Sequence, residues 1–206
     1  MIRHFQPRSI VEVGSGFSSL ILGRAAEKNK TSGLICIDPF PRDFVRKGFT
    51  GLQTLIEKKV QDIDVEFFSQ FGWGDILFID SSHTLKIGGD VNYLFLEVLP
   101  LLRPGVIVHV HDIFLPFEYR RDWVLDECCF WTEQCLLQAF LAFNSAFEVL
   151  MANSYLKHYH EEDLKTTFRG LDRWESGSFW MRRKPRESND PAKDTATAKL
   201  KENNAI

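Results

Sequence analysis

Short apolar, β-branched runs alternate along the chain with longer segments of helical spacing, the pattern of a parallel sheet wound with helices. Residues Ser9 to Val13 read as a first strand closed by Gly14-Ser15-Gly16, and Ser18 to Lys28 as a helix with Leu20, Ile21 and Ala25 on one side. Gly33 to Ile37 forms the second strand. It stops at Asp38-Pro39, because proline lacks the amide hydrogen that a ladder needs and disfavours helix in the residue before it. Gly51 to Lys58 has the spacing of a helix that leads to a weak third strand around Val60. Asp75 to Asp80 is a clear fourth strand, and Gly89 to Leu102 a helix with Val91, Leu94, Phe95, Val98 and Leu102 on one face, ended by Arg103-Pro104-Gly105. A fifth strand, Gly105 to Val110, runs into His111-Asp112. Glu133 to Phe143 then predicts a helix, and Phe147 to Met151 and Ser178 to Met181 two closing strands separated by a polar loop. From Pro185 to Ile206 aromatics vanish and Lys, Glu, Asn, Asp and Thr take over. The pattern therefore predicts one α/β domain over residues 1–184 and a disordered polar tail over 185–206.

Composition narrows this picture without changing it. With 206 residues, 44% hydrophobic and 13% aromatic, the chain can fill a sizeable core. A net charge of -3 with both signs mixed provides no basic footprint for nucleic acid, which points to a small-molecule partner. Cys36, Cys128, Cys129 and Cys135 contain no C-x-x-C pair and do not alternate with histidine, so they read as reduced thiols and not as zinc ligands. No run has signal-peptide character and none approaches about 18 uninterrupted apolar residues, which predicts a cytoplasmic protein without membrane contact.

Two glycines between a strand and a helix let a ligand approach the backbone and the helix N-terminus. A dinucleotide fingerprint would want glycine or alanine at position 19, where the chain has Ser19, and Glu12 stands two residues before the first glycine. Both features favour a nucleoside ligand that lacks a pyrophosphate. Glu12 can face a cationic amine directly or through water, and Asp38, at the end of the next strand, can accept both ribose hydroxyls. The plain alternative is that Gly14 and Gly16 make a tight turn and Asp38 caps a helix.

Ligands of open α/β sheets bind outside the carboxyl ends of the strands, where Asp80, His83, His109, His111 and Asp112 all fall. Two carboxylates with neighbouring imidazoles can hold a divalent cation or do acid–base work. Without a metal, His83 or His111 would take a proton from a substrate hydroxyl. Alternation along the fifth strand puts His109 and His111 on one face, and His109 reads as a histidine hydrogen-bonded within the sheet. The aromatic segment with Phe114, Phe117, Tyr119, Trp123, Phe130 and Trp131 reads as core or as a homo-oligomer contact, with a lid over an organic acceptor as the functional alternative.

The ordered set Glu12-Val13-Gly14-Ser15-Gly16-Phe17-Ser18, Asp38-Pro39, Phe78-Ile79-Asp80-Ser81-Ser82-His83 and Pro104-Gly105 through His109-Val110-His111-Asp112-Ile113 resembles class I S-adenosylmethionine-dependent methyltransferases, in particular methyltransferase family 24. The resemblance covers about residues 6 to 184. It implies a Rossmann-like α/β fold, a mostly parallel seven-stranded sheet with an antiparallel last strand and helices on both faces. It also implies methyl transfer to oxygen of a small-molecule acceptor. The implied cofactor residues are Glu12, Gly14, Gly16, Asp38 and, near the adenine, Asp62, to which Ser15 and Asp80 are added as candidates; the candidate catalytic residues are Asp80, His83, His111 and Asp112. Strands four and five are adjacent in the implied order, so Asp80 and Asp112 would ligate a magnesium ion, as acids at these positions do in catechol-type O-methyltransferases. The catechol-type pattern follows its second acid with asparagine, where this chain has Ile113. Family members usually carry helices before the first strand, which this chain reaches by residue 9; a missing upstream segment or a more open pocket would follow. The competing readings are a non-catalytic nucleoside-binding domain and a nicotinamide-dependent enzyme, the latter opposed by Ser19 and Glu12.

Overall fold

A computed structural model describes residues 1–30, 33–168 and 177–185. Its strands are β1 (Ser9–Val13), β2 (Gly33–Ile37), β3 (Leu52–Ile56), β4 (Ile76–Ile79), β5 (Ile107–His111), β6 (Phe147–Ala152) and β7 (Ser178–Arg183). The helices are α1 (Ile2–Phe5), α2 (Phe17–Asn29), α3 (Asp43–Arg46), α4 (Glu66–Ser69), α5 (Asp90–Tyr93), α6 (Leu99–Leu101), α7 (Arg121–Leu125), α8 (Glu133–Ala142), α9 (Asn153–Tyr159) and α10 (Glu161–Thr167). A π-helical stretch, Leu94–Val98, joins α5 to α6, so the expected single helix over 89–102 is present in three pieces.

The strands form one seven-stranded sheet in the order β3-β2-β1-β4-β5-β7-β6. Strands β1 to β5 pair in parallel, whereas β7 runs antiparallel to both β5 and β6. Chain order reverses between β1 and β4, the place where ligands of such sheets bind. On one face Val11, Val13, Leu77, Ile79, Val108 and Val110 pack against Leu94, Phe95, Leu99 and Leu137 of the α5–α6 unit and α8. On the other face Ile10, Leu34, Ile76, Phe78 and Ile107 pack with Ile2, Leu22 and Ala26 of α1 and α2. Each fully buried Leu, Ile or Phe contributes roughly 1.5–3 kcal/mol, so these two clusters hold the strand ends in register.

Three expectations fail locally. The segment read as a helix over 51–58 is strand β3, and the strand expected around Val60 is a 3-10 turn, Val60–Asp62. Leu52, Leu55 and Ile56 fit helical spacing as well as strand pairing, and a short apolar run cannot separate the two. Packing settles it: Gly51 has φ +92° and lies so close to α2 that an added Cβ would stand 2.0 Å from the Gly23 carbonyl oxygen. The polar loop expected between the last two strands holds α9 and α10. Glu161 and Glu162 pair with Lys165 at 3.3 and 2.9 Å, one turn apart, so the polarity read as loop is that of an exposed, charge-paired helix. The predicted tail, apart from its first residue, lies outside the described residues.

Candidate functional site

The first turn leaves β1 at Gly14, whose φ is +81° and whose backbone lies against the end of β4; a Cβ there would meet the Asp80 carbonyl oxygen at 2.0 Å. Only glycine satisfies both demands. Around Gly16 the space is open among the described residues, with none beyond its chain neighbours within 4 Å of an added Cβ, and its N–H donates to Ser19 Oγ at 2.9 Å. Asp38 reaches back to this turn: its Oδ2 accepts from Ser15 N at 2.9 Å and Ser15 Oγ at 2.6 Å, while Oδ1 accepts from Phe40 N at 2.8 Å.

Glu12, by contrast, is wholly buried under the turn. Its carboxyl accepts from Ser18 Oγ at 2.7 Å and Cys36 Sγ at 3.2 Å. Burial pushes its pKa up to about 7, although hydrogen bonds from Ser19, Ser18 and Cys36 pull the other way. Glu12 thus braces the turn from below. Asp62 is exposed on the 3-10 turn after β3.

At the ends of β4 and β5 the structure brings Asp80, His83, His111 and Asp112 together. His83 Nε2 stands between the two acids, 3.5 Å from Asp80 Oδ1 and 3.7 Å from Asp112 Oδ2, and His111 Nε2 is 3.7 Å from Asp112 Oδ1. A fifth group, missed in the sequence, completes the cluster: Glu133, fully buried at the start of α8, binds His83 Nδ1 at 2.8 Å and accepts from Ser81 Oγ at 2.9 Å. Burial alone would lower the His83 pKa, but Asp80 and Glu133 outweigh it and raise it to about 10. His83 is therefore an imidazolium at neutral pH. Its ring stands between Asp80 and Asp112, where the sequence suggested a divalent ion. Among the described residues no group of three or more His, Cys, Asp or Glu side chains is arranged to hold an ion.

The loop that carries His83 is clamped at both ends. Ser82 donates from N and Oγ to Asp90 at 2.7 and 2.6 Å, tying the loop to α5. The His83 carbonyl accepts from Thr132 N at 2.9 Å and Glu133 N at 3.1 Å, satisfying amides that open α8. Leu85 N donates to Thr132 Oγ1 at 2.8 Å. His83 and Asp112 have φ of +56° and +53°, left-handed values that are uncommon for residues with a side chain and cluster at functional sites. Trp131 packs on the His83 ring with centroids 4.4 Å apart and joins Trp123 and Tyr119, so the aromatic segment forms a wall of the cluster. Nothing in the spacing around Glu133 distinguishes it from an ordinary first-turn acid of a helix. His109, expected within the sheet, is 2% exposed behind His111.

The sequence profile of the methyltransferase domain family matches residues 11–113, half of the chain. An uncharacterized protein of Archaeoglobus fulgidus is 44% identical over 71 residues, covering 32% of this chain and 32% of that relative. The match thus spans about a third of the relative's length. Among solved structures, the plantazolicin methyltransferase BpumL in complex with SAH is similar with TM-score 0.52 and 13% identity, over 89% of this chain and 80% of that one. A putative methyltransferase from Thermobifida fusca is similar with TM-score 0.50 and 12% identity, over 90% and 76%. At such identities the likeness is one of fold.

Proposed function

Because this chain belongs to the methyltransferase domain family, we propose that it moves a methyl group from S-adenosylmethionine to an oxygen of a small-molecule acceptor, with the acceptor at the Asp80–His83–Asp112–His111 cluster. One observation carries the reading: the backbone of Gly14 lies directly against Asp80, so a ligand on the glycine turn abuts the acids and imidazoles at the ends of β4 and β5. The SAH complex of BpumL lends support to the choice of ligand.

The residues fit such a ligand. The open space at Gly16 admits it, Asp38 offers a carboxylate to a ribose diol, and exposed Asp62 is assigned to the adenine side. Asp80 and Asp112 would offer carboxylates to a cationic sulfonium, and Glu12 holds the turn. When bound, S-adenosylmethionine supplies a methyl group made electrophilic by positive sulfur. The chain's own task is then alignment and proton removal. Asp112 orients the acceptor hydroxyl, and His83 holds both acids in place. His111, whose side chain is 38% exposed, takes the hydroxyl proton as the O–C bond forms and the C–S electron pair stays on sulfur.

Calorimetry with S-adenosylhomocysteine, S-adenosylmethionine and NAD tests the ligand class. Binding of the S-adenosyl compounds alone is expected, and binding of NAD without them would overturn the reading. Because an imidazolium stands between the two acids, turnover on an identified acceptor is expected to survive a chelator. Loss of turnover restored by magnesium would reinstate the metal.

A further inference from the structure

Behind His111 on the same face of β5, His109 is sandwiched between rings, its centroid 3.9 Å from that of Phe78 and 4.5 Å from that of Trp180. Both of its nitrogens have partners. Nε2 lies 3.3 Å from His111 Nδ1, and Nδ1 lies 3.3 Å from Ser178 Oγ on β7. Ser178 Oγ also accepts from Trp180 Nε1 at 2.9 Å. Burial, with His111 beside it, holds His109 well below the usual imidazole range, so it is neutral and one nitrogen always carries a lone pair.

The direction of this chain of hydrogen bonds decides what His111 can do. Trp180 N–H can only donate, which takes one lone pair of Ser178; the hydroxyl has a second. If His109 carries its hydrogen on Nδ1 and donates to Ser178, its bare Nε2 accepts from His111 Nδ1–H. His111 then presents a bare Nε2 beside Asp112 Oδ1, and a proton taken there forms an ion pair with no rearrangement of the buried ring. In the opposite direction His109 Nε2–H occupies His111 Nδ1, the His111 hydrogen moves to Nε2, and no basic nitrogen is left. The groups facing His111 are His109 on its own strand, Asp112 just beyond that strand's end, Asp80 and His83 from beyond the end of β4, Glu133 from α8 behind His83, and the Phe78 ring.

We propose that Ser178 and His109 are positioning residues that fix the tautomer of His111, keeping its hydrogen on Nδ1 and its Nε2 open toward the acceptor. The inference rests on the methyl-transfer reading only for what Nε2 does, since the tautomers can be read without turnover.

Nitrogen-15 NMR of the full chain, labelled in histidine, distinguishes the two directions through the couplings of each ring nitrogen to the ring hydrogens. Both His109 and His111 are expected as Nδ1–H tautomers. In Ser178→Ala the Nδ1–H signature of His109 should be lost, and in Ser178→Thr, which keeps the hydroxyl, it should return. A wild-type His109 with its hydrogen on Nε2 overturns the proposal, and so does a Ser178→Ala variant that is less stable but unchanged in tautomer. Should Ser178→Ala fail to fold, the wild-type spectrum alone decides. Absence of S-adenosylhomocysteine binding by calorimetry would instead defeat the methyl-transfer reading and leave the tautomer result standing.

Discussion

The two halves of the site are built differently. At the ends of β1 and β2, Glu12, the glycine turn and Asp38 belong to one strand–turn–helix–strand unit, and Ser15 bonds Asp38 across 23 positions. At the ends of β4 and β5 the decisive contacts span larger gaps: His83 to Glu133 across 50 positions and Ser178 to His109 across 69. The first half is a local motif whose members are held by backbone geometry. The second is a charge cluster, buried at His83 and Glu133, assembled by tertiary packing. Its members should therefore matter to stability, and those of the first half to ligand affinity.

The largest effect is expected at Glu133. Its removal leaves the His83 imidazolium without its closest buried partner, and breaking such a pair costs about 3–5 kcal/mol. Glu133→Ala should lower the denaturant midpoint accordingly while leaving S-adenosylhomocysteine affinity within about twofold in whatever protein remains folded. A fully stable Glu133→Ala would break the contrast between the halves, because the cluster would then not be held by its charges.

The same contrast explains what could be read in advance. The turn, Asp38 and the acids at strand ends were legible because strand–glycine–helix spacing is itself the geometry. Asp80 and Asp112 could be placed near each other from the strand order that the resemblance implies, yet the imidazolium between the two acids could not, since it depends on Glu133 at a helix start. Strand β3 was misread because Leu52, Leu55 and Ile56 suit either period and the packing of Gly51 on Gly23 is tertiary. Helix α10 was missed because its stabilising pairs, Glu161 and Glu162 with Lys165, are charges on an exposed surface, which resemble a loop in composition.

The pH dependence of stability sharpens the comparison, since each half contributes its own window. Glu12 has a folded pKa of about 7, above its ordinary 4.5. The folded state therefore binds more protons than the unfolded state between these values, and stability falls as pH rises through the window, by about 3 kcal/mol at most. His83, raised from 6.5 to about 10, contributes stability that is full below its ordinary value and is lost as pH rises through about 10. Urea titrations between about pH 5 and 10 should show both declines. Glu12→Gln should flatten the lower one alone. A wild-type midpoint that rises between about pH 5 and 7 would contradict the assignment of Glu12 as a buried brace.

Asp38 tests the other side of the contrast. Losing a charged hydrogen bond to a ribose hydroxyl costs roughly 1.5–3 kcal/mol, so Asp38→Ala should weaken S-adenosylhomocysteine about 10- to 150-fold in calorimetry. Because Asp38 is only partly buried, its melting temperature should move much less than that of Glu133→Ala. The reverse outcome, intact affinity with a large loss of stability, would make Asp38 a clamp on the turn and not a ligand contact.

The smallest effect distinguishes how Asp38 becomes available. Its Oδ2 already accepts two bonds from Ser15, one from the amide and one from the hydroxyl at 2.6 Å. A ribose hydroxyl aimed at that oxygen has to displace the Ser15 hydroxyl, so part of the new bond only replaces an old one. In Ser15→Ala the amide still holds the carboxylate in place, but the lone pair is open before the ligand arrives. Stability should fall by about 0.5–1.5 kcal/mol, the net worth of one hydrogen bond. Affinity for S-adenosylhomocysteine should rise about threefold, equivalent to roughly 0.7 kcal/mol. If affinity falls tenfold instead, the Ser15 hydroxyl itself touches the ligand, and the turn binds through its side chains as much as through its glycine backbone.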